Sequence, residues 1–189
     1  MDLVPTPSQT VGPFFHFELT TDEHCIRRIA GPQIQGERVW LICRVLDGEG
    51  TPLNDAMIEI WQADANGKYN HPDDLQPKIV QPGWVGFGRL ATGEDGSCEF
   101  ETIKPGRVGH NVLQAPHLNI AVFARGMLKQ LYTRIYFAGD GSNSEDPILA
   151  LVPAERRPTL MAQPDSARNG HWRFDVHLQG EHETVFFDV

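Results

Sequence analysis

The chain has 189 residues, of which 40% are hydrophobic, and this is enough for one domain with a single sizeable core. A charged fraction of 22% excludes a disordered chain, and a net charge of −9 argues against binding to nucleic acid or to an anionic membrane surface. An anionic small-molecule substrate would need a local cationic pocket made by particular arginines.

Cysteine usage and the N-terminal segment indicate a cytoplasmic protein. Cys25, Cys43 and Cys98 are odd in number, widely spaced and form no CxxC pair, so we expect inert thiols in a reducing compartment. The N-terminus has neither the basic nor the apolar region of a signal peptide, and Pro5 and Pro7 favour an extended arm. No apolar run approaches the length of a membrane span.

Short β-rich runs separated by glycine and proline turns predict an all-β protein, a β-sandwich with short helical turns. In the run Met57 to Trp61, Ile58 and Ile60 share one face, and we expect that face to be buried. Pro147 to Leu151 and Ala154 to Leu160 are candidates for the helical turns. The other expected strands are Arg38 to Leu46, Trp84 to Leu90 in part, Cys98 to Ile103, His117 to Phe123, Thr133 to Phe137, Trp172 to Leu178 and a closing run from Thr184 to Val189.

No repeat or linker divides the chain, but its start differs from the rest. Residues 1–35 are polar and interrupted by prolines, which predicts an N-terminal arm that packs on a partner chain. Residues 36–189 form the predicted sandwich domain.

The eight histidines raise the question of a metal site. His177 and His182 flank a probable turn and could approach each other, which leaves a metal pair open. His117 starts a strand, and Asn119 lies two residues later on the same face, where a second histidine would complete a good metal edge. An amide oxygen is a poor ligand for ferric iron, so a structural role for His117 is the simpler interpretation. Tyr69, after a turn, would by itself be interpreted as an ordinary turn aromatic.

The chain contains TPSQTVGPFF near the N-terminus, IEIWQADANGKY, FETIKPG, APHLNIAVFARG and the tail RFDVHLQGEHETVFFDV. Together these motifs resemble the intradiol ring-cleavage dioxygenases of the protocatechuate 3,4-dioxygenase type. The resemblance covers nearly the whole chain, and WQADANGKY followed by TIKPG is highly specific. It implies the family's β-sandwich and non-haem ferric iron, held in the iron-bearing β chains by two tyrosines and two histidines.

Carried over position by position, the resemblance implies a degenerate iron site in this chain. Tyr69 matches the first tyrosine and His117 the first histidine, whereas Val108 and Asn119 stand where the second tyrosine and second histidine should be. Gln114 stands where β chains have an arginine thought to stabilise developing negative charge. The resemblance therefore implies no metal and no catalytic residue in this chain alone, with Fe(III) held by a partner β chain.

This pattern is that of the family's α subunit, which completes the β chain's active site. The resemblance implies that Gly12, Pro13 and Arg125 reach the β chain's substrate pocket. It also implies a higher αβ oligomer that cleaves protocatechuate with O2 to 3-carboxy-cis,cis-muconate, in the β-ketoadipate pathway of aromatic catabolism. Two alternatives are also compatible with the sequence: Arg125 could be a solvated surface residue, and Pro13 could simply rigidify the arm.

Two other functions are compatible with the residues. An autonomous iron dioxygenase would recruit a further ligand, such as His110. A non-catalytic β-sandwich interaction module would have no β-type partner. Iron content of the chain alone tests the first alternative, and copurification with a β-type chain tests the second.

Overall fold

The computed structural model describes Gly12 and residues 15–109 and 111–188. These residues form eight strands, one short α-helix and three 3₁₀ turns. The strands are β1 (Arg38–Leu46), β2 (Met57–Gln62), β3 (Phe87–Ala91), β4 (Ser97–Ile103), β5 (His117–Phe123), β6 (Leu131–Phe137), β7 (Met161–Pro164) and β8 (His171–His177); the helix is α1 (Phe15–Glu18), and the 3₁₀ turns are Gly141–Glu145, Leu149–Leu151 and Arg157–Leu160.

The strands follow the order β3-β2-β5-β6-β7-β8-β1-β4. One half of the sheet, β3-β2-β5-β6, is antiparallel throughout. The other half contains β8, β1 and β4, with β1 parallel to β8 and antiparallel to β4. The four-residue strand β7 joins the halves because it pairs with β6 on one side and with β8 on the other. The predicted all-β sandwich is confirmed.

One hydrophobic core lies between the two halves. In β2 the isoleucine face is buried as predicted: Ile58 and Ile60 are inaccessible, while Glu59 on the other face is partly exposed. Leu41 and Phe100 enter the same core from the opposite half. Residues of both halves are therefore needed to exclude water from either one.

Three strand predictions differ from the structure. The run Trp84 to Leu90 becomes a strand only from Phe87, because Gly83 and Gly86 adopt left-handed backbone conformations that interrupt extended pairing. The closing run contributes only an isolated bridge between Phe187 and Tyr132. The sequence did not predict β7, whose four residues include a proline.

The helical turns are confirmed, since two of the 3₁₀ turns fall within the predicted segments. The later part of the segment from 1 to 35 packs on this chain's own core. Ile29, Ala30 and Ile34 are buried there, and Ile26 forms a bridge with Arg89 of β3. Contact of the earlier arm with a partner stays a prediction, because nearly all of residues 1–14 lie outside the described residues.

The three cysteines are free, and burial raises the pKa of the Cys98 thiol to about 12. A thiol with so high a pKa is a poor nucleophile at neutral pH, which agrees with the expected inert role. Within the described part of the chain, no helix is long and apolar enough to cross a membrane.

Gly67 provides a test of the turn before Tyr69. Its φ is +76°, and an added Cβ would collide with the carbonyl oxygen of Arg107. Gly50 has a nearly identical φ of +79° but open space around the same position. We expect Gly50→Ala to cost about 1 kcal/mol of unfolding free energy and Gly67→Ala about 3 kcal/mol or more, measured by urea denaturation. Equal losses would show that the close approach to Arg107 contributes nothing.

Candidate functional site

A buried aspartate shapes the turn that carries Tyr69. Asp64 follows β2 and is inaccessible to solvent. One of its carboxylate oxygens accepts hydrogen bonds from the backbone N–H groups of Asn66 and Lys68, at 2.9 and 3.0 Å, and the other accepts from Gln81 N–H at 2.8 Å. Three backbone N–H donors therefore stabilise the negative charge of this carboxylate, and their hydrogen bonds fix the conformation of the turn.

Tyr69 is then held from two sides. Its backbone N–H donates to the Asp74 carboxylate at 2.8 Å, and the same carboxylate forms an ion pair with Lys68 at 3.2 Å. The tyrosine ring stacks on Trp61, with ring centroids 6.0 Å apart. These contacts direct the phenol towards the start of β5.

His117 meets the phenol of Tyr69 there. The imidazole is buried, and its Nδ1 lies 2.8 Å from the carbonyl oxygen of Ala115. Because a carbonyl oxygen can only accept, the proton is assigned to Nδ1, which leaves Nε2 as an acceptor. Nε2 lies 3.3 Å from the hydroxyl of Tyr69. Burial, with a contribution from Arg134, lowers the pKa of His117 to about 4, so the ring is neutral at pH 7.

Asn119 completes a hydrogen-bonded group with these two residues. Its side-chain amide donates to the Tyr69 hydroxyl at 2.8 Å and to the carbonyl oxygen of Trp61 at 3.2 Å. The phenol thus accepts from Asn119 and donates to His117. Burial raises the pKa of Tyr69, although the hydrogen bond from Asn119 opposes the shift. The phenol is protonated at neutral pH and cannot act as a phenolate ligand without a compensating cation.

Val108 lies near this group. It is buried, and it lines a cavity of about 370 Å³ together with Trp61, Tyr69, His71 and Gly109. The structure thus brings Tyr69, His117 and Asn119 into direct contact and places Val108 in the cavity wall beside Tyr69. A valine offers no donor atom to a metal.

Arg134 was not among the site residues expected from the sequence. It is the partner of Asn119 in the pairing of β5 with β6, and its Nη1 donates to the side-chain oxygen of Gln114 at 2.8 Å. Its charge contributes to the pKa values of Tyr69 and His117. A charged residue in the otherwise apolar run TRIYF was the available indication, but only the strand register places it beside the candidate site.

The donor set does not fit ferric iron. Only a phenol and an imidazole are of the expected ligand types, and each is already hydrogen-bonded within the group. The amide nitrogen of Asn119, rather than its oxygen, is turned towards the phenol. Across residues 15–109 and 111–188, no group of three or more His, Cys, Asp or Glu side chains could hold a metal ion. The paired His177 and His182 have ring centroids 6.1 Å apart but lack such a third ligand.

The other predicted site residues lie elsewhere. Arg125 lies two residues beyond β5, at the opposite end of this strand from His117, roughly 25 Å away at the rise of an extended chain. Its side chain is 70% exposed and forms an ion pair with Asp55. Gly12 is exposed, and its carbonyl oxygen accepts from Phe15 N–H at 3.2 Å. Pro13 and His110 lie outside the described residues.

Comparison with known proteins identifies the family. Residues 10–180 match the family model described as "Dioxygenase". The chain belongs to this family, that of the intradiol dioxygenases.

Relatives within the family are more specific. A protocatechuate 3,4-dioxygenase alpha chain from Burkholderia cepacia is 43% identical, over 99% of this chain and 98% of the relative. The beta chain of that enzyme from the same organism is 34% identical, over 79% of this chain and 67% of the relative. The solved dioxygenase domain of a carbohydrate-binding fusion protein from Streptomyces sp. SirexAA-E is 27% identical and has a TM-score of 0.64, covering 94% of this chain and 99% of that one.

The neutral, buried His117 predicts a dependence of stability on pH. Its pKa in the folded state is about 4, below the ordinary value of 6.5, so the unfolded state binds more protons between these values. The contribution of His117 to the free energy of unfolding is therefore fully present above pH 6.5, and it is lost as the pH drops towards 4. From pH 7 to pH 5 we expect this histidine to account for a loss of about 2 kcal/mol.

Urea denaturation at both pH values measures this dependence. His117→Gln should flatten it, whereas His182→Gln, which changes an exposed imidazole, should leave it in place. An unchanged dependence in His117→Gln would contradict a neutral, buried imidazole at position 117.

Proposed function

We propose that this chain is the α subunit of a protocatechuate 3,4-dioxygenase and works as an iron-free partner of a β chain. The observation that carries the proposal is the 43% identity to an alpha chain over the full length of both proteins. The group of Tyr69, His117 and Asn119 supports the iron-free part, because its polar atoms satisfy one another. The proposed reaction of the complex is intradiol cleavage of protocatechuate with O2 to 3-carboxy-cis,cis-muconate.

In this proposal the β chain holds the ferric iron, which as a Lewis acid would make the bound catecholate reactive towards O2. The residues of this chain perform none of that chemistry. They complete the wall of the β chain's pocket through Gly12 and Pro13 and provide positive charge through Arg125. We also propose that residues 1–35 begin with an arm that packs on the β chain, and that the complex is cytoplasmic, where free thiols persist.

The surroundings of Arg125 support the electrostatic role that we propose for it. A chain with a net charge of −9 repels a carboxylated catechol unless a local cation offsets the repulsion. Arg125 is exposed and is paired with Asp55, which is mostly buried. This ion pair fixes one nitrogen of the guanidinium and leaves other N–H donors for an anionic ligand.

We expect obligate association with a β chain through a largely apolar interface. Several large apolar side chains are exposed in the isolated chain, among them Leu75 (89%), Ile79 (85%) and Val112 (63%). Such surfaces promote aggregation when they are not covered. Expressed alone, the chain should aggregate at tens of micromolar by light scattering, and coexpression with a β chain should give a soluble complex. A stable monomer that does not copurify with a β chain would contradict the proposal.

We expect the chain, separated from its partner, to bind no stoichiometric ferric iron and to lack a tyrosinate-to-iron absorption band. Val108→Tyr combined with Asn119→His restores the missing ligand types and should increase iron binding, although supporting hydrogen bonds limit the gain. Val108→Phe with Asn119→Gln is the control of similar size without new ligands. Elemental analysis and visible spectroscopy measure both. About one iron per unmodified chain, with burgundy colour, would show that the site is functional.

We expect Arg125→Ala in the assembled enzyme to raise KM for protocatechuate about tenfold, with a smaller change in kcat. A partly desolvated contact between a guanidinium and a carboxylate contributes about 1.5–3 kcal/mol, whereas an exposed ion pair contributes about 1 kcal/mol or less. Catechol, which lacks the carboxylate, should be affected much less. Lys129→Ala, which removes another exposed cation nearby, is the control.

Steady-state kinetics with both substrates separates the outcomes for Arg125. An equal loss for both substrates would contradict carboxylate recognition. Unchanged kinetics for both substrates would show that Arg125 is only a solvated surface residue.

A further inference from the structure

A row of side chains in register crosses one face of the sheet. Trp61 of β2 pairs with Asn119 of β5, which pairs with Arg134 of β6. Residues directly opposite one another on neighbouring strands project to the same face. The guanidinium of Arg134 therefore lies on the same face as the group of Tyr69, His117 and Asn119, one strand further along the sheet.

A cavity of about 580 Å³ opens on this face, with Asn119 and Arg134 in its lining. Its walls are predominantly apolar and come from two segments that the sequence did not place here. The 3₁₀ turn Leu149–Leu151 and its neighbours contribute Ile148, Leu151 and Val152. The C-terminal tail contributes Val185 and Phe187. Tyr132 adds a second aromatic ring. This volume is within the range of ordinary small-ligand pockets.

Arg134 is the cation of this lining and has unused hydrogen-bonding capacity. Its Nη1 donates to the neutral amide oxygen of Gln114, and its guanidinium also forms a hydrogen bond with the Tyr136 side chain. Among the ion pairs of residues 15–109 and 111–188, none includes Arg134. A guanidinium carries five N–H donors, so donors remain for a ligand.

The nearby acids do not neutralise this cation by direct contact. The Asp146 carboxylate already accepts from the Ala115, Ile148 and Leu149 N–H groups and from the Tyr136 hydroxyl. Asp188 lines the cavity but is exposed to solvent. The charge of Arg134 contributes to the pKa values of Tyr69, His117 and Tyr136, which places the guanidinium close to these three side chains.

We propose that this cavity is a second ligand site, which binds a small aromatic monocarboxylate with its carboxylate on Arg134 and its ring between the 3₁₀ turn and the C-terminal tail. A planar guanidinium matches the two oxygens of a carboxylate, and the apolar walls match an uncharged ring. Asp188 at the rim and the overall negative charge of the chain disfavour ligands with two negative charges. The site lies in this chain, and the proposed binding requires no metal.

Photoaffinity labelling with 4-azidobenzoate tests the site in the coexpressed αβ protein. We expect saturable labelling of peptides that contain residues 148–153 or 185–188 of this chain, with protection by excess benzoate. Arg134→Gln should raise the half-saturating concentration at least about tenfold, and Arg134→Lys, which retains the charge, should raise it less. The neutral probe 4-azidobenzamide should label weakly and without dependence on position 134.

The outcomes separate this site from the proposed function. Failure to copurify with a β chain contradicts the proposed function, and labelling of this chain can still be scored. Labelling that is absent, unsaturable, located elsewhere, equal for the neutral probe or unchanged in Arg134→Gln overturns the second site. Circular dichroism of each variant verifies folding, and if Arg134→Gln does not fold, the comparison of the two probes on the unmodified protein decides.

Discussion

The hydrogen bonds that join Asn119, Tyr69 and His117 constrain the character of the candidate site. In this arrangement the phenol has a donor on one side and an acceptor on the other, so its lone pair and its proton are both engaged. A metal would have to break these bonds and remove the proton from a buried phenol whose pKa is already raised. The polar atoms of the group are therefore paired with one another in its neutral form.

The rest of the architecture maintains this cluster. Asp64 holds the turn that carries Tyr69, and the pairing of β2 with β5 fixes Asn119 opposite Trp61. The site is well packed, because Val108 is buried in the wall and the Asn119 amide is hydrogen-bonded. Such packing agrees with the proposal that this chain contributes shape and charge rather than a metal site.

Positive charge is sparse in this acidic chain, and its placement separates two candidate functions. Arg125 is exposed just beyond the far end of β5, where its proposed role is to serve the β chain. Arg134 lies on β6, in the row with Asn119, and lines a cavity of its own chain. The solvent access of the two arginines therefore differs. For this reason, substitutions at the two positions should have different effects on ligand binding.

The sequence predicted the strands with strong alternation or dense β-branched residues, such as β1 and β8, and it placed the isoleucine face of β2 correctly. It could not predict β7, since its four residues include a proline and form a strand only because β6 and β8 lie on either side. Tyr69 and His117 were found through motifs, whereas Arg134 depends on strand register, which no local pattern specifies. The closing tail was expected as a strand because its composition favours one. In the structure the tail crosses between β8 and β6. The backbone N–H of Thr184 donates a hydrogen bond to His177, and that of Phe187 donates to Tyr132.

Anomalous diffraction at the iron absorption edge, on crystals of the assembled αβ protein, would locate the iron directly. We expect one iron peak for each αβ pair, in the β chain, and no peak near the Tyr69 hydroxyl or Nε2 of His117. An iron peak within bonding distance of those two atoms would contradict this expectation.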